Sequence, residues 1–356
     1  MVIRIAFFLA SAALLAACGK PSVENAAHKT ESGAVAAESE GPALTVYSAR
    51  NVPSDSEMYA RFEKETGVHV SVRESGAAEL LDALKSEGED SPADLILAPD
   101  AGALYRFQVE GLTQPVQSET LVSAIPAQFR EKNGHWFGLS RRARVIVYDP
   151  QMLPLEEVDT YADLAEDRLK GEVCVRSSSN INNLSLLGEL IDRYGSEEAE
   201  RWATGVAQNL ARPPEGGDTA QIEAVAAGQC AAALVNDYYW VLLTQGSTEE
   251  RLTAAKTAIS FPDQEGEGTH VNITGAAVTA AAPNPDLALQ FLEFLVSEEG
   301  QVLLTAETRE FPVVAGVPLP AGADQLPDFT TSDYALSDLG ANQAEAQAIF
   351  DRAGWN

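Results

Sequence analysis

The chain has 356 residues, 45% of them hydrophobic and 22% charged, which is the composition of a folded globular protein and excludes a disordered or fibrous one. Fifty-three acidic residues against 24 basic ones give a formal net charge of −29, a field that excludes nucleic acid as a partner and opposes binding of the protein surface to anionic lipid. The acidity is otherwise read as a solvated surface.

The first residues read MVIRIAFFLASAALLAAC. One positive charge, Arg4, precedes an apolar run that is too short and too alanine-rich to span a bilayer but suits a secretory signal. The run ends in Leu15-Ala16-Ala17 just before Cys18, the small-residue box at which lipoprotein signals are cut. Residues 1–17 are therefore expected to be removed and Cys18 to carry lipid. Residues 18–42 hold no bulky apolar side chain beyond two valines, so they read as a flexible tether. No later stretch approaches the roughly 18 apolar residues of a membrane span.

The body opens with a strand at 43–48 and a helix at 54–66, followed by a strand at 68–72, a helix at 77–87 and an apolar strand at 93–98. Strands alternating with helices of this length predict a mainly parallel α/β sheet. A second series follows Trp136: strand 144–148, helix 161–165, strand 172–175, then helices 183–194, 197–209 and 219–227 and a strand at 230–235. Residues 268–279 read as extended, and 284–295 as an amphipathic helix with Pro285 near its start. This order predicts a two-lobed α/β architecture, each lobe a mixed sheet flanked by helices, with ligand in the interlobe cleft. The N-lobe is expected at 43–139 plus 275–316 and the C-lobe at 140–274. Residues 317–356 form a C-terminal extension with no assigned place, ending in a helix-like run at 342–352. With Cys18 given to lipid, Cys174 and Cys230 are an even pair in an oxidising compartment, and a disulfide is expected. The rival, a two-cysteine metal site, lacks nearby histidines.

Five stretches now stand in order: Val46-Tyr-Ser-Ala-Arg50, Trp136-Phe-Gly-Leu-Ser-Arg-Arg-Ala-Arg-Val145, Val175-Arg-Ser-Ser-Ser-Asn-Ile-Asn-Asn183, Asn236-Asp-Tyr-Tyr239 and Gly268-Thr-His-Val-Asn-Ile-Thr-Gly275. From about Leu44 to Val314 the chain resembles the periplasmic ferric-iron-binding proteins of ABC transporters, the transferrin-like iron(III) solute-binding class. The resemblance implies a receptor that closes around its cargo and passes it to a permease in the inner membrane. It also implies a monomer that is no enzyme, located in the periplasm or at the cell surface.

The tyrosine pair makes chemical sense beside that resemblance. Iron(III) is a hard ion that favours anionic oxygen donors. A phenol with a reference pKa near 10 becomes such a donor when the metal's charge displaces its proton. Tyr238 and Tyr239 follow a strand and open a helix, where the helix N-terminus adds positive potential and Asn236 or Asp237 is a natural cap. An arbitrary pair of adjacent tyrosines is more often core packing; in this context they are read as metal ligands.

The departures from the family matter equally. After Ser-Ala-Arg the family commonly carries a histidine or tyrosine that binds iron, and here Asn51 and Val52 stand there. The family's Ser-Ser-Ser-Asn-Ile-Tyr-Asn pattern has Asn182 in place of its tyrosine. Two phenolates do not fill the roughly six sites of iron(III), so a synergistic anion such as carbonate or citrate is expected. Arg50, Arg141, Arg142 and Arg144 are candidates to hold it, since a guanidinium fork matches a carboxylate, although pairing with surface acids is the plainer use for each. Ser178, Asn180, Asn182 and Asn51 are candidate cleft-wall donors. Two alternatives stay open: a receptor for a ferric chelate or organic anion without bare-iron ligation, and an interaction lipoprotein built on the same lobes. No phosphate loop, nucleophile elbow or histidine pair at metal-binding spacing is present.

Overall fold

The computed structural model describes residues 41–355, so the expected signal, Cys18 and most of the tether lie outside the described residues. Strand β1 (Ala43–Ser48) buries Leu44 and Val46 completely and runs parallel to both β2 (His69–Glu74) and β3 (Leu95–Ala98). Helix α1 (Asp55–Thr66) joins β1 to β2 and stops at Gly67, whose φ of 73° lets its N–H close on the Glu63 carbonyl. Helix α2 (Ala77–Glu87) carries the chain from β2 to β3, burying Leu80, Leu81 and Leu84 on one face. The next two helices are α3 (Ala101–Val109), capped by the Asp100 carboxylate accepting from the Ala103 N–H, and α4 (Glu119–Ala124), capped by Ser118.

The strand expected at 144–148 is only the second half of a twelve-residue strand, β4 (Phe137–Tyr148). Its partner changes midway, and this places the cleft. Residues 137–143 pair antiparallel with β8 (Val271–Val278), which also pairs with β3, whereas Arg144–Tyr148 pair with β6 (Ala232–Asn236). The sheet order is β2-β1-β3-β8-β4-β6-β5, where β5 is Val173–Cys174; β7 (Ala258–Ser260) and β9 (Phe311–Pro312) also pair with β4. One lobe is built on β1–β3 and the far end of β8, the other on β5 and β6. One apolar core holds Leu44, Phe62, Ile96 and Phe291 and runs on through β4 to Ile222 and Val235 of the second lobe; a second core, of Leu187, Trp202, Phe350 and Trp355, lies wholly in that lobe.

Helices α5 (Ile181–Tyr194), α6 (Ser196–Gln208), α7 (Asp218–Ala226), α8 (Asp237–Gln245) and α9 (Thr248–Ala254) complete the second lobe. Helices α10 (Pro285–Leu295) and α11 (Glu298–Thr305) return to the first, where Phe291 stacks edge-on against Phe62 with centroids 4.9 Å apart. Four expectations shift. The helix at 161–165 is a single 3-10 turn, Ala162–Ala165, because Asp163 folds back to accept from the Thr160 N–H and hydroxyl. The strand at 172–175 shortens to two residues. Helix α5 starts two residues early, since Asn180 caps it by accepting from the Asn183 N–H. The strand at 68–72 begins at His69 and runs on to Glu74.

Cys174 and Cys230 form a disulfide with Cα atoms 5.9 Å apart, tying β5 to the turn before β6. The C-terminal stretch crosses both lobes. Thr331 bridges Thr269, a 3-10 turn at Leu336–Asp338 packs on α3, and α12 (Gln343–Ala353) lies on α5 and α6. Trp355 is fully buried, its indole N–H donating to the Arg176 carbonyl. Among the described residues no helix is long and apolar enough to cross a membrane.

Candidate metal-binding cleft

Strand β6 runs straight into α8, so Tyr238 and Tyr239 occupy the first turn of that helix, where unpaired backbone N–H groups supply positive potential. Their rings lie 4.3 Å apart at 32° to each other, both half-buried. Neither expected cap works through its side chain at the helix end. Asn236 instead accepts from Arg144 at 3.0 Å, and Asp237 accepts from the Ala143 N–H of β4 at 2.9 Å. That second bond staples the start of α8 to the strand shared by the lobes. Burial pushes the Asp237 carboxyl up to about 7.

The tyrosines open on a cavity of about 240 Å³. Arg50, Val52 and Pro99 line it from the β1 and β3 ends, Leu242 from α8, and Thr274, Thr308 and Glu310 from β8 and the turn before β9. A cavity of about 710 Å³ lies elsewhere, beside Tyr194 and Phe329; Asp159, Asp263, Glu265, Glu267 and Asp328 line it, but among the described residues no three His, Cys, Asp or Glu side chains are grouped so as to hold a metal ion. Burial, and then the neighbouring Tyr239, hold Tyr238 well above the ordinary tyrosine range, with Arg142 acting in the opposite direction. In the metal-free protein Tyr238 is therefore a neutral phenol at pH 7.

The four arginines part company. Arg50 is buried and ion-paired with Asp55 at 2.8 Å, also donating to the Leu304 carbonyl, with its Nη1 left without a hydrogen-bond partner. Arg142, 4% exposed, donates from Nε and Nη2 to the Asn182 side-chain oxygen at 3.2 Å and from Nη2 to the Pro99 carbonyl; its Nη1 has no hydrogen-bond partner. Arg141 stacks over Phe311 and Phe329, 5.1 and 5.5 Å from the ring centroids, and burial lowers its pKa. Arg144 departs from the expected anion-binding role. It is 1% exposed and held by Asp218 at 2.7 Å, Asn183 at 2.6 Å, Asn236 and the Leu234 carbonyl, so it braces β4, β6 and α5 from inside.

The neutral candidates divide too. Asn182 faces Arg142, as above. Asn180 is spent on capping α5, and Ser178 is buried in the same loop. Asn51 is exposed, with a φ of 53°, and its side chain makes only a 3.5 Å contact with the Ala49 carbonyl. It adds no anionic donor.

Two residues escaped the sequence reading. Arg176 pairs with Asp218 at 2.5 Å; burial works to lower its pKa, but Asp218, and then Tyr239 and Tyr238, carry it above the usual guanidinium range. It thus stands beside the phenols as a positive charge. Its signal was its place in the Val175–Asn183 stretch. Glu310 is 6% exposed and accepts from Thr274 at 3.0 Å and from Ser140. Nothing local marked it, since it lies 71 positions after Tyr239.

Two lobes joined by crossing strands, with a cavity between their ends, are the arrangement of a solute-binding protein. The family model for bacterial extracellular solute-binding proteins matches residues 57–331, and the chain belongs to that family. It is 44% identical over 313 residues to iron uptake protein A1 of Synechocystis, covering 88% of this chain and 87% of that protein. The Trichodesmium IdiA/FutA structure, in complex with iron and citrate ligands, aligns with a TM-score of 0.85 at 44% identity over 88% of this chain and 100% of that one. The major ferric iron-binding protein of Neisseria meningitidis serogroup B is 28% identical over 275 residues, 76% of this chain and 80% of that protein.

Proposed function

We propose that this protein is a lipid-anchored extracytoplasmic receptor that binds iron(III) together with a synergistic anion, carbonate or citrate, and delivers it to an ABC permease in the inner membrane. The observation that carries the reading is Tyr238 and Tyr239 side by side on the first turn of α8, facing a cavity whose rim holds a buried arginine with an uncommitted N–H. The iron charge displaces the phenol protons that burial otherwise retains, and the paired phenolates grip the ion. The anion takes the remaining sites, held by Nη1 of Arg142 and of Arg50. Asn182 fixes the Arg142 fork through two hydrogen bonds, a positioning use for the residue where the family has tyrosine. Arg176 offsets the negative charge of the phenolates from the C-lobe side. Lipid on Cys18 and the tether at 18–42 keep this monomeric receptor near its permease.

The citrate and iron of the Trichodesmium structure support a carboxylate anion here. The neutral wall at Asn51 and Val52 favours one variant of the reading, in which iron arrives as a preformed ferric chelate rather than a bare ion. Titrating the purified protein with ferric iron plus bicarbonate or citrate should develop a visible phenolate-to-iron charge-transfer band. The Tyr238→Phe/Tyr239→Phe double variant should lose the band and at least about 100-fold in affinity. A colourless titration, or unchanged affinity in the double variant, removes the reading.

A further inference from the structure

Resting on the iron reading above, we propose that Glu310 supplies a third anionic oxygen to the bound iron(III), replacing donors absent at Asn51 and Asn182. Glu310 lines the same cavity as Tyr238 and Tyr239 and is 6% exposed. Its two carboxylate oxygens are unequally used. Oε2 accepts from the Thr274 hydroxyl at 3.0 Å and from Ser140, which anchors the start of β9 to β4 and β8. Oε1 has only a long 3.3 Å bond from Thr274 and an Arg142 Nη1 atom 3.5 Å away that makes no hydrogen bond to it. One oxygen is therefore structural and the other is uncommitted.

The charge is what requires a cause. A glutamine side chain would accept from two hydroxyls equally well, whereas a buried carboxylate carries a desolvation penalty of several kcal/mol that a single imperfect ion pair offsets poorly. A trivalent cation in the cavity removes the difficulty. Two phenolates and one carboxylate balance its three charges with hard oxygen donors. Arg142, 3.5 Å from Glu310, then faces the exogenous anion next to the metal.

The test compares wild type with Glu310→Gln, reading ferric affinity by competition with citrate and the position of the charge-transfer band. With the carboxylate gone the iron becomes more electron-poor. The band should persist but move to longer wavelength, and affinity should fall beyond the 10–100-fold typical of supporting residues. The apo melting temperature and circular dichroism report whether the variant is folded. Should Glu310→Gln fail to fold, Glu310→Asp keeps the charge but withdraws it by one methylene, and the same shift and loss are expected. A folded variant with an unmoved band and affinity within twofold of wild type overturns the assignment, as does an affinity loss with no band shift, which marks a structural role. A wild type that never colours defeats the iron reading itself, and this assignment with it; a wild type that colours beside an unaffected Glu310→Gln defeats this assignment alone.

Discussion

The two walls of the cleft are built on different principles. The C-lobe wall is a chain of buried polar contacts converging on one helix start: Asp218 receives Arg144, Arg176 and the Asn236 N–H, Asn183 receives Arg144, and Asp237 receives the backbone of β4. The bonds to Asn236 and Asp237 fix the two residues just before Tyr238, and the Arg144 contacts brace the strand behind them. The N-lobe wall directs Arg50 inward onto Asp55, holds Glu310 on Thr274 and Ser140, and presents Val52 and an exposed Asn51. The difference teaches that a dense polar network braces the tyrosine turn in one lobe, whereas the facing wall is mostly neutral apart from Arg50 and Glu310. On the proposed iron reading, that wall contributes the Glu310 carboxylate and the cargo brings its remaining donors.

The comparison breaks most severely at Asp218. Asp218→Ala leaves Arg144 buried without its carboxylate, and loss of one partner of a buried pair costs about 3–5 kcal/mol. Urea unfolding should show that loss, with iron affinity falling as the tyrosine turn loosens; a loss under about 1 kcal/mol would mean the C-lobe network is not what holds the wall. The comparison sharpens at Val52. Val52→Tyr adds a phenol to the empty wall inside the same cavity, and iron affinity should rise about tenfold, or about 1.4 kcal/mol. An unchanged affinity would separate the N-lobe wall from the metal altogether.

The smallest expected effect lies away from the cleft and checks that acidity in the C-lobe is otherwise incidental. Burial, opposed by the hydrogen bond from the Tyr161 N–H and helped by the carboxylates of Glu189, Asp163 and Asp159, raises the Asp263 pKa to about 6. Because the folded value lies above the unfolded one near 3.9, this group's contribution is fully present below pH 4 and is lost as pH rises through 6. Asp263→Asn, which tolerates the local φ of 63°, should therefore stabilise the protein by about 1 kcal/mol at pH 8, discounted for partial exposure, and by nothing at pH 4. Iron affinity should not move. A stabilisation that is the same at both pH values would contradict the charge argument.

The alternation of strands and helices made the two-lobed class legible, because local periodicity survives folding. The tyrosine pair was legible as a motif at a strand-to-helix junction. What the chain hid was destination. Ser-Arg-Arg-Ala-Arg reads as one basic patch, yet β4 sends its arginines to different neighbours: Arg141 to Phe311 and Phe329, Arg142 to Asn182, Arg144 to Asp218. Glu310 and the C-terminal strap were invisible for a related reason, since their partners lie far away in sequence. Short strands such as β7 and β9 exist because β4 pairs with them, a tertiary cause that leaves little local pattern, whereas α9 carries a local signal in its Ser247–Glu250 capping box.

The most direct test of the account is a crystal structure of the iron-loaded protein grown with citrate or bicarbonate, with the metal located by anomalous scattering at the iron edge. The account predicts iron bonded to the phenolate oxygens of Tyr238 and Tyr239, with an exogenous carboxylate or carbonate against Arg142 and no bond to Asn51. Iron bound elsewhere, or an organic anion filling the cavity with no metal between it and the tyrosines, would contradict it.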